Sequence, residues 1–145
     1  MTGPKTINLL LVEDTEEDAI LLKRALERGR LVLRVFWVAD GKEALDFLHH
    51  RGVYADAGAY PRPEIILLDL KLPWVGGLEI LKNIRGDENL KTLPVVVLTS
   101  SDESKDIIRS YQEGASSYLT KSALFLNPGA GPASILETVM AMAGI

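Results

Sequence analysis

The 145-residue chain has no cysteine, which excludes a disulfide framework, a thiolate metal site and a cysteine nucleophile. It has only two histidines. They are adjacent, His49 and His50, at the expected C-terminal end of a helix, where a partly charged imidazole suits the helix dipole better than a metal. No apolar run approaches the ~18 residues that a membrane-spanning helix needs. The opening Met1-Thr2-Gly3-Pro4-Lys5 runs straight into an apolar stretch without a signal-peptide cleavage pattern, so the cytoplasm is the expected location. An excess of basic residues is also missing. Sixteen Lys and Arg against twenty Asp and Glu leave a net charge of −4, and a nucleic-acid partner would want the opposite sign. Internal repeats and low-complexity tracts are absent. Apolar residues, by contrast, make up 47% of the chain, enough for a core in a domain of this length and too many for a disordered chain.

Those apolar residues fall into short runs separated by amphipathic stretches. Ile7-Asn8-Leu9-Leu10-Leu11-Val12 reads as a strand buried on both faces. Thr15 is then placed as a helix N-cap, acids occupy the following turn, and Ile20, Leu21, Leu22, Ala25 and Leu26 form a stripe that Gly29 ends. Leu31 to Val38 is a second strand, and Arg34 within it favours the sheet edge. Asp40-Gly41-Lys42-Glu43 has the spacing of a capping box, followed by Ala44, Leu45 and Leu48 on a helix. Residues 52–63, with Pro61 and Pro63, read as a long surface loop. Ile65-Ile66-Leu67-Leu68 is a third strand stopping at Asp69, and Leu78, Leu81 and Ile84 mark a helix after Gly76-Gly77. Val95-Val96-Val97-Leu98 follows Pro94 and stops at Thr99. Ile107, Ile108 and Tyr111 mark a helix ending near Gly114. Tyr118-Leu119-Thr120 is a fifth strand ending at Lys121, and Pro132 opens a last helix with Ile135, Val139 and Met142 inward. Five strand–helix units imply an α/β fold, a parallel sheet covered on both faces and joined by right-handed crossovers.

In such sheets ligands bind beyond the carboxyl ends of the strands. The residues there are Glu13 and Asp14 after the first strand, Asp69 after the third, Thr99 after the fourth and Lys121 after the fifth. Three close carboxylates repel one another and raise each other's pKa. A divalent cation relieves that, and oxygen-only donors favour Mg²⁺, which bridges to phosphate oxygens. Each residue also has a plainer role: Asp14 as a helix cap, Thr99 as a packing choice, Lys121 as a solvated cation. The acid run continues through Glu16, Glu17 and Asp18, read as a solvated first helical turn.

Leu11-Val12-Glu13-Asp14, Leu67-Leu68-Asp69-Leu70-Lys71-Leu72-Pro73 with Gly76-Gly77, Val97-Leu98-Thr99-Ser100 and Tyr118-Leu119-Thr120-Lys121 come in the order and spacing of one family. Over residues 7–121 the chain resembles the receiver domain of two-component response regulators. The resemblance implies a flavodoxin-like (βα)5 fold with strand order 2-1-3-4-5. It implies that Asp69 accepts a phosphoryl group from a phosphohistidine of a sensor kinase. Glu13, Asp14, Asp69 and the backbone carbonyl of Lys71 would hold Mg²⁺, and Lys121 would pair with phosphoryl oxygens. Thr99 would bond the phosphoryl group once it arrives, while Tyr118 changes rotamer in response. Such transfer needs positioning and charge neutralisation more than covalent assistance.

The chain departs from the family where Ser122 replaces the usual proline after Lys121. A cis bond before a non-proline residue costs about 3–4 kcal/mol, so a trans bond is expected. Lys71 either sets a second cation near the phosphate, or points to solvent or pairs with an acid, and Ser101 overhangs the same site. Trp74 contacts a partner or covers the loop. The expected organisation is one receiver domain over residues 1–145, core 7–143, without an output domain, so its output is a protein–protein contact. Finer similarity to single-domain regulators paired with bacterial phytochrome kinases implies a phytochrome-type sensor kinase and a downstream protein target or phosphotransfer protein. It also implies a homodimer through the fourth helix, fifth strand and last helix, where Met140, Met142 and Ile145 offer apolar surface. Two other classes compete: a receiver-like interaction module that is never phosphorylated, and an aspartate-dependent phosphohydrolase. The latter wants a general acid two residues after its nucleophile, where this chain has Lys71.

Overall fold

The computed structural model describes residues 6–27, 32–70, 72, 76–100 and 104–121, without the side chains of Thr99 and Ser104. The expected last helix and its face, Gly29, Lys71, Trp74, Ser101 and the Lys121–Ser122 bond lie outside the described residues.

Five strands form one parallel sheet: β1 (Thr6–Val12), β2 (Val32–Val38), β3 (Ile65–Asp69), β4 (Val95–Thr99) and β5 (Ser117–Thr120). Their order is β2-β1-β3-β4-β5, the flavodoxin-like arrangement expected of the family. The helices are α1 (Glu16–Glu27), α2 (Gly41–Leu48), α3 (Gly77–Gly86) and α4 (Ser104–Gln112). Alternation along β1 divides the core. Ile7, Leu9 and Leu11 pack with Ala19, Leu22 and Leu26 of α1 on one face. Leu10 and Val12 pack with Phe47 of α2 and Ile80, Leu81 and Ile84 of α3 on the other. Both faces of β1, β3 and β4 are therefore dry, which is why their sequences show unbroken apolar runs rather than alternation. The Arg34-bearing strand β2 lies at the edge, its guanidinium 4.7 Å above the Phe36 ring.

Several local details differ from the sequence reading. In α1 the inward residues are Ala19, Leu22, Ala25 and Leu26, whereas Ile20 and Leu21 are exposed. At 100° per residue one helix cannot bury 20, 21 and 22 together, and the small Ala19 takes the close approach. Asp40 does cap α2, accepting from the Glu43 N–H at 2.8 Å. The Glu43 carboxylate does not reach back; it accepts the Tyr54 hydroxyl at 2.9 Å. Burial, aided by that carboxylate, pushes the Tyr54 phenol up to about 12. Residues 52–63 are more than a surface loop. They hold a short 3-10 turn, Gly52–Tyr54, and Tyr54 and Tyr60 meet edge to face at 5.0 Å centroid separation, both packed against Phe47. His49 and His50 do sit at the end of α2, bonded to Asn83 and to the Tyr60 carbonyl.

Two features fix where the strand ends lie. Arg85, in the last turn of α3, donates to the carbonyls of Gly114 at 2.8 Å, Lys91 at 3.1 Å and Leu93 at 2.6 Å. It thereby ties α3 to the segments that enter β4 and β5, and burial lowers its pKa. Gly114 has φ +106°, and a Cβ there would lie 2.8 Å from the Arg85 side chain, so this turn is closed to larger residues.

At the opposite edge, the Gly77 N–H donates to the Leu70 carbonyl at 3.1 Å. A Cβ on Gly77 would stand 2.5 Å from the Asp69 carbonyl and 2.8 Å from the Leu70 Cα. These are backbone atoms that cannot swing aside, so Gly77→Ala should cost about 1–3 kcal/mol by overpacking. Urea unfolding checks this, and a loss below about 0.5 kcal/mol, the scale of an ordinary surface change, would contradict it.

Candidate functional site

The parallel strands deliver their carboxyl ends to one rim. Glu13 and Asp14 directly follow β1, Asp69 is the last residue of β3, and Lys121 directly follows β5. Thr99 is the last residue of β4, in register with Thr120, and its side chain lies outside the described residues. Lys71 is outside them too. Tyr118 is half-buried against the core face that carries α2 and α3.

Glu13 is fully buried and Asp69 nearly so, whereas Asp14 is exposed. The Glu13 N–H continues the β1–β2 ladder by one rung, donating to the Val38 carbonyl at 3.1 Å. Its Oε1 accepts the Thr15 N–H at 3.2 Å, just where α1 starts. The Thr15 carbonyl accepts from Ala19, placing Thr15 at the helix cap. Glu13 is thus held by strand on one side and helix entry on the other.

Among the described residues, Lys121 is the cation of the site. Its Nζ lies 2.8 Å from Glu13 Oε2, 2.9 Å from Asp18 Oδ2 and 3.4 Å from Asp69 Oδ2. The bonds to Asp18 and Asp69 are directed hydrogen bonds. The contact to Glu13 Oε2, the shortest of the three, is a buried ion pair. Burial alone would lower the ammonium's pKa, but Glu13, Asp18 and Asp69 outweigh it and hold the group above its usual range. Glu13 moves the other way. Burial and the Asp69 charge push its carboxyl up to about 7 against the opposing pull of Lys121.

One carboxylate oxygen from each of Glu13, Asp14 and Asp69 lies within 4.8 Å of the others. Among the described residues one ammonium faces these acids together with Asp18. Three oxygen donors without histidine or cysteine fit a hard divalent metal. Lys121 already pairs with Glu13 Oε2, so it is the donor set itself, three carboxylates with Glu13 and Asp69 buried, that fits a divalent ion.

Two residues here escaped the sequence reading. Asp18 is not a solvated member of the first helical turn; it is half-buried and paired with Lys121, 103 positions away. Its place in the first turn of α1, directly after the strand-end acids, is the one local signal. Trp37, at the edge of the sheet, donates its indole N–H to the Glu13 carbonyl at 2.7 Å, and nothing in its sequence neighbourhood marks it.

Comparison with known proteins gives one answer. Residues 9–125 match the response regulator receiver domain. The chain is 44% identical over 118 residues to the probable methanogenesis regulatory protein FilR2 of Methanothrix harundinacea, covering 81% of this chain and 73% of that protein. It is 42% identical over 119 residues to response regulator Rcp1 of Synechocystis, covering 82% and 78%. The crystal structure of Rcp1 in a Mn²⁺-bound form superposes with a TM-score of 0.72 at 34% identity, covering 96% of this chain and 93% of that one. That of the phosphorylated cyanobacterial phytochrome response regulator RcpA superposes with a TM-score of 0.80 at 37% identity, covering 95% and 96%.

Proposed function

This chain belongs to the response regulator receiver family, and from that premise we propose that Asp69 is its phosphoacceptor. The observation that carries the proposal is the convergence of Glu13, Asp18 and Asp69 on Lys121 Nζ, beside an acid trio compact enough for one ion. In the transfer, Asp69 Oδ attacks the phosphorus of a phosphohistidine. The P–N bond breaks, its electron pair stays on the imidazole, and the new bond is an acyl phosphate. Lys121, already 3.4 Å from the attacking carboxylate, neutralises charge on the phosphoryl oxygens. Glu13, Asp14, Asp69 and the Lys71 carbonyl are the proposed holders of Mg²⁺. When bound, that ion supplies a charge clamp on the transferring group. Similarity to Mn²⁺-bound Rcp1 supports a divalent ion of this kind.

The arriving phosphoryl group brings charge and strong acceptors, for which Thr99 is the proposed hydroxyl donor and Tyr118 the responding ring. The reading is tested by incubating the chain with acetyl phosphate and Mg²⁺ and weighing it intact. A gain of one phosphoryl group that EDTA abolishes is expected; no gain would leave an interaction module in its place.

The proposed donor in the cell is a sensor histidine kinase. The relatives named as phytochrome response regulators point to one of phytochrome type, and phosphotransfer profiling against candidate kinases decides it. For the output we assign a protein contact, with pairing of two chains through the α4–β5 face. Ile108 and Tyr111 of α4 are exposed there, more apolar surface than a solvated helix needs. Ile108→Glu should shift the chain to monomer by sedimentation velocity. A wild-type chain already monomeric in both phosphorylation states would contradict the pairing.

A further inference from the structure

We propose that Trp37 is a positioning residue for the metal-binding acids, acting through its indole N–H; the inference rests on the metal site assigned above. β1 and β2 run in register from Thr6↔Val32 to Val12↔Val38. Glu13 lies one residue past the last paired rung. Its N–H still finds the Val38 carbonyl, but its own carbonyl has run out of strand, because β2 ends at Val38. A ladder that stops there leaves this carbonyl to solvent, with the Glu13–Asp14 peptide free to rock. The Trp37 side chain reaches forward and supplies the missing donor at 2.7 Å.

The ring itself has little to gain from its place. Trp37 is 42% exposed, on an edge strand where an apolar side chain of this size recovers only part of its burial energy. Its N–H, in contrast, is fully used. The peptide it holds is the one joining the two acids: Glu13, buried and fixed, and Asp14, exposed and otherwise unrestrained by any hydrogen bond in the structure's described part. Fixing the Glu13 carbonyl fixes that peptide plane, and so the direction from which the Asp14 carboxylate approaches the other two. Trp37 touches no reacting atom; it sets where two ligands stand.

The probe is Mn²⁺, with the free ion counted by electron paramagnetic resonance in titrations of the full chain. Trp37→Phe should weaken Mn²⁺ binding roughly fivefold, the scale of one net hydrogen bond. The apparent constant for Mg²⁺ in acetyl phosphate labelling should rise by a similar factor, while the rate at saturating Mg²⁺ stays within about twofold of wild type. A loss of general stability would instead lower the rate at saturating Mg²⁺ as well. Because phenylalanine also removes ring area, 3-benzothienylalanine at position 37, which keeps the bicyclic shape without the N–H, should weaken Mn²⁺ as much as phenylalanine does. Wild-type affinity in that variant overturns the proposal, as does wild-type affinity in Trp37→Phe. If Asp14→Asn in the otherwise native chain leaves Mn²⁺ binding unchanged, the metal site itself is wrongly assigned and Trp37's role falls with it.

Discussion

Asp69→Asn should take up no phosphoryl group from acetyl phosphate and Mg²⁺, a loss of at least about a thousandfold, since the amide oxygen is neutral and cannot serve as the nucleophile. The change keeps size and shape in a nearly buried position at the end of β3. It removes the longest of the three Lys121 contacts, at 3.4 Å, and leaves those to Glu13 and Asp18 at 2.8 and 2.9 Å. The fold should therefore survive, with an unfolding midpoint close to wild type when both are measured in EDTA. Divalent-ion affinity should fall at the same time, because one of three carboxylates within 4.8 Å has become neutral. Two results would contradict the assignment. One is labelling at the wild-type rate. The other is a label that peptide mapping places on Asp14, the exposed member of the trio.

Lys121→Met should slow phosphoryl uptake by roughly a hundredfold even at saturating Mg²⁺, the scale of losing one preorganised charge-stabilising donor. Its second effect is on pH dependence. Glu13 titrates near 7 in the native chain because burial and Asp69 outweigh Lys121. Between the ordinary 4.5 and about 7, the folded chain holds a proton on Glu13 that the unfolded chain has released. Stability from this group therefore falls as pH rises through that window. A bound divalent ion must displace that proton, so its stabilising effect should grow as pH rises through about 7. Without Lys121 the opposing pull is gone and the Glu13 carboxyl moves higher still. The pH at which Mn²⁺ binds half-maximally should then move up by about one unit or more, the difference one lost neighbouring charge makes. Stripping a partner from a buried ion pair costs about 3–5 kcal/mol when the survivor stays charged; here Glu13 can escape most of that by keeping its proton. Unfolding in EDTA should accordingly be less affected at pH 6 than at pH 8. Equal losses at both pH values, or an unmoved Mn²⁺ profile, would show that Lys121 does not govern Glu13.

The phosphohydrolase reading has no support in the family to which the chain belongs. The divalent ion called for by the sequence has a matching donor set in Glu13, Asp14 and Asp69.

What the sequence determined by itself is the sheet and its chemical rim. Near-continuous apolar runs such as Leu9 to Val12 and Ile65 to Leu68 suit strands dry on both faces, and parallel strands bring all their carboxyl ends to one edge. Glu13, Asp14, Asp69, Thr99 and Lys121 therefore fall at strand ends, and the resemblance to the family implies the strand order. The tertiary structure decided which of these groups touch and what else joins them. The pairing of Asp18 with Lys121 spans 103 positions, and that of Trp37 with the Glu13 carbonyl spans 24. Periodicity reports only neighbours one turn or two residues away, so it could show neither. Nor could it show that Glu13 would be sealed from water while Asp14 stays open, because burial at a strand end depends on how neighbouring loops and helices close over it.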